Sequence, residues 1–430
     1  MAPVARVKGT QDFYPEAWAL QLALREIMLA AGRAYGYQEY EGPAIEYLDL
    51  YLGKSSEEIV TQQTFRIQDR DGKALLLRPE LTPTLARMIA AREQEIPLPA
   101  RWQSWGQFYR YERPQRGRGR AFFQWNVDLL GSESAHADAE VIQVACALFA
   151  SLGLDASDVQ IKINDRAALE ADLTGDFGVP AEAVRGVFQV IDRLDKVGTD
   201  RACGQMVDIG LSAAQAREGV AFVQAPVVEP PERLATIVEQ LRITGHESYV
   251  TLDRSIARGF EYYTSTVFEA WAAGGLRRAI FGGGRYDDLT QQVGGKQRVP
   301  GVGMAVGDMA LLELLRELDR VPEPVQSGPD ALVTVFGADQ QHASAGIADR
   351  LRRRGVAVEL ALEPGQRLDR QLRHADRVGA RFALIIGPDE AAAGTVLVKD
   401  LVQRRQEHLP AGDTDALVAR LAGSAKSGSG

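Results

Sequence analysis

The sequence predicts an α+β domain, built on an antiparallel sheet flanked by helices and interrupted by a helical insertion, followed by a small α/β domain. Three observations predict it. Two strand-like segments, ARWQSWGQFYRYE and RAFFQWNVDLLG, flank a loop rich in Gly and Arg, the pattern of an antiparallel pair. Residues 167–246 are helical in composition, with no glycine-rich loop and no cluster of reactive side chains. Beyond Ala331, strands and helices alternate through ALVTVFG, HASAGIADRLRRRG, VAVELAL, LDRQLRHADRVG and FALIIG, the rhythm of a mostly parallel sheet. A chain of 430 residues exceeds one ordinary domain. The expected division is a first domain at 1–325 containing the insertion at 167–246, a second at 330–422, and a flexible tail at 423–430, with the proline-containing VPEPVQSGPD as linker.

The first helix is expected from Pro15 to Tyr35, where Ala17, Leu20, Leu22, Leu24, Ile27, Met28 and Ala31 form a broad apolar face. Gly36 permits the turn that ends it. YQEYEGPAIEY reads as extended, because Pro43 restricts the residue before it. KALLLRPELT reads as a buried strand leading into the helix TPTLARMIAAR. After the antiparallel pair, ADAEVIQVACALFASLG is an amphipathic helix closed by Gly153. Past the insertion, YVTLDRSIARGFEYYTSTVFEAW is β-rich, and VPGVGMAVGDMALLELLREL reads as a small-residue strand entering a helix. GSAKSGSG has the composition of a flexible linker.

Hydrophobic residues make up 45% and charged residues 25%, as in soluble globular proteins. No apolar run reaches the length of a membrane span, and MAPVARVKGTQDFYP has neither the apolar core nor the cleavage site of a signal peptide. Only Cys146 and Cys203 occur, so neither a disulfide framework nor a zinc site is expected, and the expected compartment is the cytoplasm. The five histidines, His136, His342 and His374 among them, are scattered and read as structural or surface residues. A formal net charge of −9 argues against a protein coated in nucleic acid but leaves room for a local basic patch. RYERPQRGRGR supplies one: Arg110, Arg113, Arg116, Arg118 and Arg120 with the single acid Glu112. By itself such a cluster reads equally well as a solvated loop.

Two arginine-centred segments carry chemistry. Forked arginine donors suit the joining of two anions, such as a carboxylate and a phosphate, because they cancel repulsion and tighten as charge gathers in the transition state. In FYRYERPQRGRGRAFFQ, Arg110 and Glu112 lie two apart and are expected on one face of a strand; the plain alternative is a cross-strand ion pair. In ARGFEYYTSTVFE, Arg258 precedes a glycine and the paired Tyr262 and Tyr263, which alone read as sheet packing. Gly282, Gly283 and Gly284 let backbone approach a ligand, or form a plain loop.

In this order the segments resemble the histidyl-tRNA synthetase family of class II aminoacyl-tRNA synthetases. KGTQDFYP resembles the family's opening segment, YGYQEYEGP the first class II motif, which builds the dimer interface, and LLRPELTPT the amino-acid-binding strand. FYRYERPQRGRGRAFFQ resembles the second class II motif and VIDRLDKVG a segment of the helical insertion. ARGFEYYTSTVFE and FGGGRYDDL resemble the two histidine-specific signatures; RQLRHADRVGARFALIIGPDE and GTVLVKDL resemble the anticodon-binding module. The resemblance spans nearly the whole chain. It implies a class II fold, with activation of histidine by ATP to histidyl-adenylate and transfer to the 3'-terminal ribose of tRNA(His). It further implies a homodimer, with Mg2+ entering on ATP and no metal caged by the protein.

The same resemblance implies individual roles. Arg110 holds the α-phosphate and Glu112 contacts adenine or its amino group. Arg258 bridges the substrate carboxylate and the α-phosphate. Glu80, Thr82 and Gln124 surround the α-amino group. Asp128, standing where many bacterial relatives have glutamate, and Tyr263 flank the imidazole, and Tyr286 closes the pocket wall. A neutral imidazole has one donor and one acceptor, which a carboxylate and a phenol can satisfy. Arg113 falls on the γ-phosphate side, and Arg116, Arg118 and Arg120 are candidates for the tRNA acceptor end. One position departs. In GVGMAVGDMALLELL, Ala310 stands where the third class II motif has an adenine-stacking arginine, and neither Asp308 nor Met309 substitutes. A cation over the ring contributes about 1–2 kcal/mol when desolvated. The alternative is an inactive paralogue, either a regulatory subunit of ATP phosphoribosyltransferase or a histidine or tRNA sensor. Arg258 and the apparent anticodon module oppose the regulatory subunit.

Overall fold

The computed structural model describes residues 4–55, 57–257, 262–274, 279–325 and 328–422. The chain divides into two compact units, Met1–Tyr14 with Leu20–Glu323 and Pro15–Ala19 with Pro324–Gly430. Up to residue 323 the elements begin with α1 (Pro15–Ala34), β1 (Gln38–Glu39), β2 (Ile45–Tyr47), α2 (Glu57–Gln62), β3 (Arg66–Gln68), β4 (Ala74–Leu77) and α3 (Thr82–Ala91). Next come β5 (Ala100–Tyr109), β6 (Ala121–Leu130), α4 (Ala135–Ser151) and β7 (Val159–Asp165). A helical run follows: α5 (Arg166–Gly175), α6 (Ala181–Ile191), α7 (Leu194–Val197), α8 (Thr199–Asp208), α9 (Ala213–Gln224) and α10 (Glu232–Ile243). Then come β8 (Val250–Leu252), β9 (Thr266–Ala272), β10 (Ala279–Arg285), α11 (Leu289–Gln292), β11 (Gly301–Gly307) and α12 (Asp308–Glu317).

Eight strands form one sheet in the order β1-β5-β6-β11-β10-β9-β7-β8. The inner pairings are antiparallel, and parallel pairing occurs only at the edges, β1 with β5 and β7 with β8. Alternation along β6 assigns its two faces. Trp125, Val127 and Leu129 face the main core, together with Val302, Met304 and Val306 of β11 and Val159, Ile161 and Ile163 of β7. Apolar residues of α1, α4, α10 and α12 cover that face. Gln124, Asn126 and Asp128 therefore point to the other side. A one-residue slip would exchange the two sets, so burial of Trp125 fixes the register that turns the polar row to the opposite face. Trp125 also donates its indole N–H to Gln103 Oε1 at 3.0 Å, while the Gln103 amide donates to the carbonyls of Leu29 and Tyr37, both at 3.2 Å. α1 can approach this amide because residue 32 is glycine; a Cβ there would lie 2.2 Å from Gln103 Oε1.

The helical run has two allegiances. Leu169, Val187, Phe188, Met206 and Val220 form a separate core for α5, α6, α8 and α9. Leu234, Ile237 and Leu241 of α10 instead join the core of the large sheet. Two other expectations change in this unit. The strand expected from KALLLRPELT is β4, which belongs to a separate three-stranded sheet in the order β2-β4-β3 and fully buries only Leu76. The strand expected through Glu112 ends at Tyr109, because the Glu112 N–H turns back to the Arg110 carbonyl at 2.8 Å. Arg110 and Glu112 therefore meet through a turn, not through strand alternation.

Beyond residue 323 the elements are β12 (Ala331–Val333), α13 (Ala338–Arg353), β13 (Val358–Leu360), α14 (Leu368–Arg377) and β14 (Phe382–Ile385), then α15 (Pro388–Ala393), β15 (Thr395–Asp400), β16 (Arg405–Pro410) and α16 (Thr414–Ala422). The sheet order is β13-β12-β14-β15-β16. It is mixed rather than mostly parallel: β13, β12 and β14 run together, whereas β15 pairs antiparallel with both β14 and β16. The short connection between Asp400 and Arg405 permits only the antiparallel return. Ile347, Leu351, Phe382, Leu384, Val396 and Leu417 lie in its core.

Candidate active site

A cavity of about 1420 Å³ opens on the polar side of the large sheet. Gln124 and Asn126 of β6 line it, beside the small residues Gly303, Ala305 and Gly307 of β11 and Gly282 of β10. Small residues are required where the polar row needs room: a Cβ on Gly303 would lie 2.1 Å from Asp128 Oδ1. Glu80 enters from the turn before α3 and Thr82 from its first residue, and Arg110, Glu112, Arg116 and Arg118 from the loop between β5 and β6. Tyr262, Tyr263 and Tyr286 also line the cavity, as do Met309 and Ala310 of α12. Ile191, Asp192, Asp195 and Lys196, at the end of α6 and in α7, complete the boundary.

The anionic and cationic groups are already oriented. Buried Glu80 accepts hydrogen bonds from the hydroxyls of Ser55 and of Tyr262, the latter at 2.8 Å. The Tyr51 hydroxyl lies 3.1 Å from the Glu80 carbonyl, to which it donates. Arg110 donates its Nε–H to the Pro79 carbonyl at 2.9 Å and lies 5.4 Å from the centre of the Phe122 ring. Burial pulls the pKa of Arg110 down, while nearby Glu112 and Glu80 oppose that pull. An arginine so placed stays cationic at neutral pH. Glu112 pairs with Arg118 at 2.9 Å, and Arg116 reaches Glu313 at 2.6 Å and Glu317 at 3.0 Å on α12.

Not every expected residue reaches the cavity. Arg120 sits 4.0 Å from the centre of the Tyr111 ring and donates to the Glu112 carbonyl at 3.2 Å, away from the lining. Arg113 is exposed and likewise outside the lining. Arg258 lies outside the described residues. Asp128 is not on the cavity surface either. It stands behind Tyr286, whose hydroxyl donates to Asp128 Oδ1 at 2.5 Å. Burial raises the Asp128 pKa to about 7, against the opposing effect of that hydrogen bond. Tyr263 packs edge-on against Tyr262 at 4.9 Å, and Tyr262 against Tyr286 at 6.1 Å. Gly284 admits this ring cluster, since a Cβ there would come 2.7 Å from the Tyr263 ring.

Ala310 is buried at the cavity wall. Its segment is held firmly. Asp308 accepts the Phe123 N–H at 3.1 Å and the Gln21 amide at 3.0 Å, tying the start of α12 to β6 and α1. Burial raises the Asp308 pKa to about 6. Sequence reasoning missed Ser55 and Asn126, and read Tyr262 only as a neighbour of Tyr263. Asn126 had a signal, since it shares a strand face with Gln124 and Asp128. Ser55 had none.

The model of the histidyl-tRNA synthetase family matches residues 9–311, and that of the anticodon binding domain matches residues 330–421. The chain belongs to the histidyl-tRNA synthetase family. The histidine–tRNA ligase of Opitutus terrae is 34% identical, over 97% of this chain and 98% of that protein. The chloroplastic/mitochondrial histidine–tRNA ligase of Arabidopsis thaliana is also 34% identical, over 95% of this chain and 85% of its own. Among solved structures, the histidyl-tRNA synthetase of a Nostoc species shares the fold with a TM-score of 0.78 at 24% identity, covering 98% of this chain and 100% of that one. A Bacillus halodurans protein described as an ATP phosphoribosyltransferase regulatory subunit/histidyl-tRNA synthetase has a TM-score of 0.71 at 21% identity, covering 90% and 100%. Residues 110 and 112 are arginine and glutamate, and residue 310 is alanine. No helix among the described residues is long and apolar enough to cross a membrane, and no group of three or more His, Cys, Asp or Glu among them could hold a metal ion.

Proposed function

We propose that this chain, an aminoacyl-tRNA ligase for histidine, performs both steps of its reaction at the cavity above β6. Family membership carries the overall reaction. The residue assignments rest on one observation: Glu80, Arg110, Glu112, Gln124, Tyr263 and Tyr286, spread over more than 200 positions, converge on a single cavity.

In the first step a histidine carboxylate oxygen bonds to the α-phosphorus of ATP as the bond to pyrophosphate breaks, giving histidyl-adenylate. Both reactants are anionic, so the reaction depends on fixed cations. Arg110 is assigned to the α-phosphate. Its Nε–H is committed to the Pro79 carbonyl, which aims the terminal nitrogens. Arg258 is assigned to bridging the carboxylate and the phosphate. Glu80, Thr82 and Gln124 receive the α-ammonium group, with Glu80 held by the Ser55 and Tyr262 hydroxyls. Glu112 meets the adenine and Arg113 the γ-phosphate side. Asp128, Tyr263 and Tyr286 form the imidazole end of the pocket, with Asp128 acting through Tyr286. In the second step the 3'-terminal ribose of tRNA(His) takes the acyl group and AMP leaves; Arg116, Arg118 and Arg120 are assigned to the acceptor end.

Mg2+ enters on ATP in this reading. The described carboxylates near Arg110 are engaged by hydroxyls or by Arg118, a donor set suited to an ion held mainly by phosphate oxygens and water. The reading also includes a homodimer, a cytoplasmic location, a catalytic body at 1–325 with an insertion at 167–246, and an anticodon-binding domain at 330–422.

Histidine-dependent exchange of pyrophosphate into ATP tests the proposal. Wild type should exchange with histidine alone among amino acids. Arg110→Ala and Arg258→Ala should each lower the rate by about 10²–10³, the loss typical of one fixed transition-state donor. Ala310 favours a second reading, a histidine or tRNA sensor or a regulatory subunit of ATP phosphoribosyltransferase. Folded wild-type protein without exchange would support that reading instead.

A further inference from the structure

We propose that Arg254 is a positioning residue for histidine binding, tying the helical insertion to a short strap, residues 253–257, that packs on the tyrosines of the cavity; this rests on the histidine-activating reading above. Adjacent residues of the strap enter different cores. Ile256 packs in one cluster with Tyr262, Tyr263 and Tyr286, and both Ile256 and Ser255 line the cavity. Ala257 is fully buried and belongs instead to the separate core of α5, α6, α8 and α9. Neighbouring Cα atoms are about 3.8 Å apart, so a shift of the insertion core reaches the tyrosines unless the strap bends.

The strap has little freedom to bend. Buried Asn164 of β7 donates its amide to the carbonyls of Arg254 and Ile256, at 3.2 and 3.0 Å. Asp253 accepts the Ser255 N–H at 2.9 Å and the Ser255 hydroxyl at 2.6 Å, and it pairs with Lys162 at 2.8 Å. The Ile256 N–H closes the turn on the Asp253 carbonyl at 3.2 Å. Arg254 is the strap's hold on the insertion. Its guanidinium carbon lies 4.2 Å from the centre of the Phe222 ring on α9. It also donates to the carbonyls of Ala225 and Pro226, at 3.3 and 3.5 Å, just past the end of that helix. A helix C-terminus carries partial negative charge, which suits a cation. The Phe222 ring packs 5.1 Å from that of Phe177, and both rest against the insertion core. Neither Arg254 nor Phe222 lines the cavity, so neither is placed to touch a substrate there.

The test is pyrophosphate exchange with histidine and ATP varied in turn, beside a melting curve for each variant. Arg254→Ala should raise the KM for histidine by about three- to tenfold, the scale of one such contact, and leave the KM for ATP within about twofold. Phe222→Leu should shift the histidine KM in the same direction, and it tests the same contact if Arg254→Ala fails to fold. The double variant should be no worse than the worse single variant, because the two side chains form one contact. Arg254→Lys, which keeps the cation, should recover part of the loss. A contact that only stabilised the fold would lower the melting temperature and the active fraction without moving the histidine KM. Two results overturn the inference while histidine-dependent exchange persists: an unchanged histidine KM in folded Arg254→Ala or Phe222→Leu, or effects of the two substitutions that multiply. Absence of histidine-dependent exchange in folded wild type would instead remove the functional reading beneath it.

Discussion

Asp128 and Asp308 are carboxyl groups whose burial opposes their charge, raising their pKa values to about 7 and about 6. Each holds its proton more tightly folded than unfolded, where an aspartate titrates near 3.9. Their contribution to stability is therefore full below about pH 4, falls as pH rises, and is gone above about pH 7 for Asp128 and about pH 6 for Asp308. Asp128→Asn, which keeps an oxygen to accept from Tyr286, should flatten the decline in melting temperature between pH 4 and pH 7 relative to wild type. An unchanged pH profile would show that Asp128 titrates normally. At this scale the sequence was informative where side chains act through local spacing, as for the alternating Gln124, Asn126 and Asp128. It was silent where partners are remote: the Tyr262 hydroxyl meets Glu80 across 182 positions and the Ser55 hydroxyl meets it across 25. Nothing in either short segment specifies that meeting.

The element that positions the tyrosine wall is the end of β10, held by a buried arginine. Arg285 is fully buried, reaching Asp138 in the first turn of α4 at 2.7 Å, Asp287 at 2.9 Å, and the carbonyls of Ser132 and Ser134. Asp138 also accepts from Thr266 at 2.9 Å and from Arg233 of α10 at 2.6 Å. One carboxylate thus joins β9, β10, α4 and α10 next to Tyr286. Asp138→Asn should cost about 3–5 kcal/mol in urea unfolding, because it leaves a buried cation undercompensated, and should raise the histidine KM by displacing Tyr286. Arg233→Gln, at a partly exposed position, should cost less than about 1 kcal/mol. Equal losses in the two variants would contradict this hierarchy. Local period and turn chemistry made the β5–β6 pair legible, whereas the end of β5 depends on a turn hydrogen bond that period alone does not reveal. The membership of α10 was likewise hidden: Leu234, Ile237 and Leu241 form an apolar stripe that fits either core, and only tertiary packing chooses between them.

For the molecule as a whole, the order of motifs along the chain disclosed the class II body and the following α/β domain. The mixed second sheet was less visible, because β15 and β16 can be read as continuing its alternation until their short connection is considered. The assembly is the remaining whole-molecule property, and the small sheet β2-β4-β3 supports an argument for it. On one side of β2, buried Glu46 pairs with Arg87 of α3 at 2.6 Å, so this side faces inward. Ile45 and Tyr47 must then point outward. Register places Leu77 beside Ile45, and Leu75 between Tyr47 and Ile67, extending one apolar surface across all three strands. Ile45, Tyr47 and Ile67 are 47%, 51% and 42% exposed, a contiguous apolar area of the kind that marks an interface. The segment resembling the first class II motif leads directly into β2, so a second copy of this chain is the proposed cover. Sedimentation equilibrium should find a dimer at micromolar concentration. Tyr47→Glu combined with Ile67→Glu should shift the protein to monomer, since each carboxylate would lose solvation on association. Retention of the melting temperature in that double variant would separate a lost interface from a lost fold, and a wild type that sediments as a monomer would assign the exposed sheet no role in self-association.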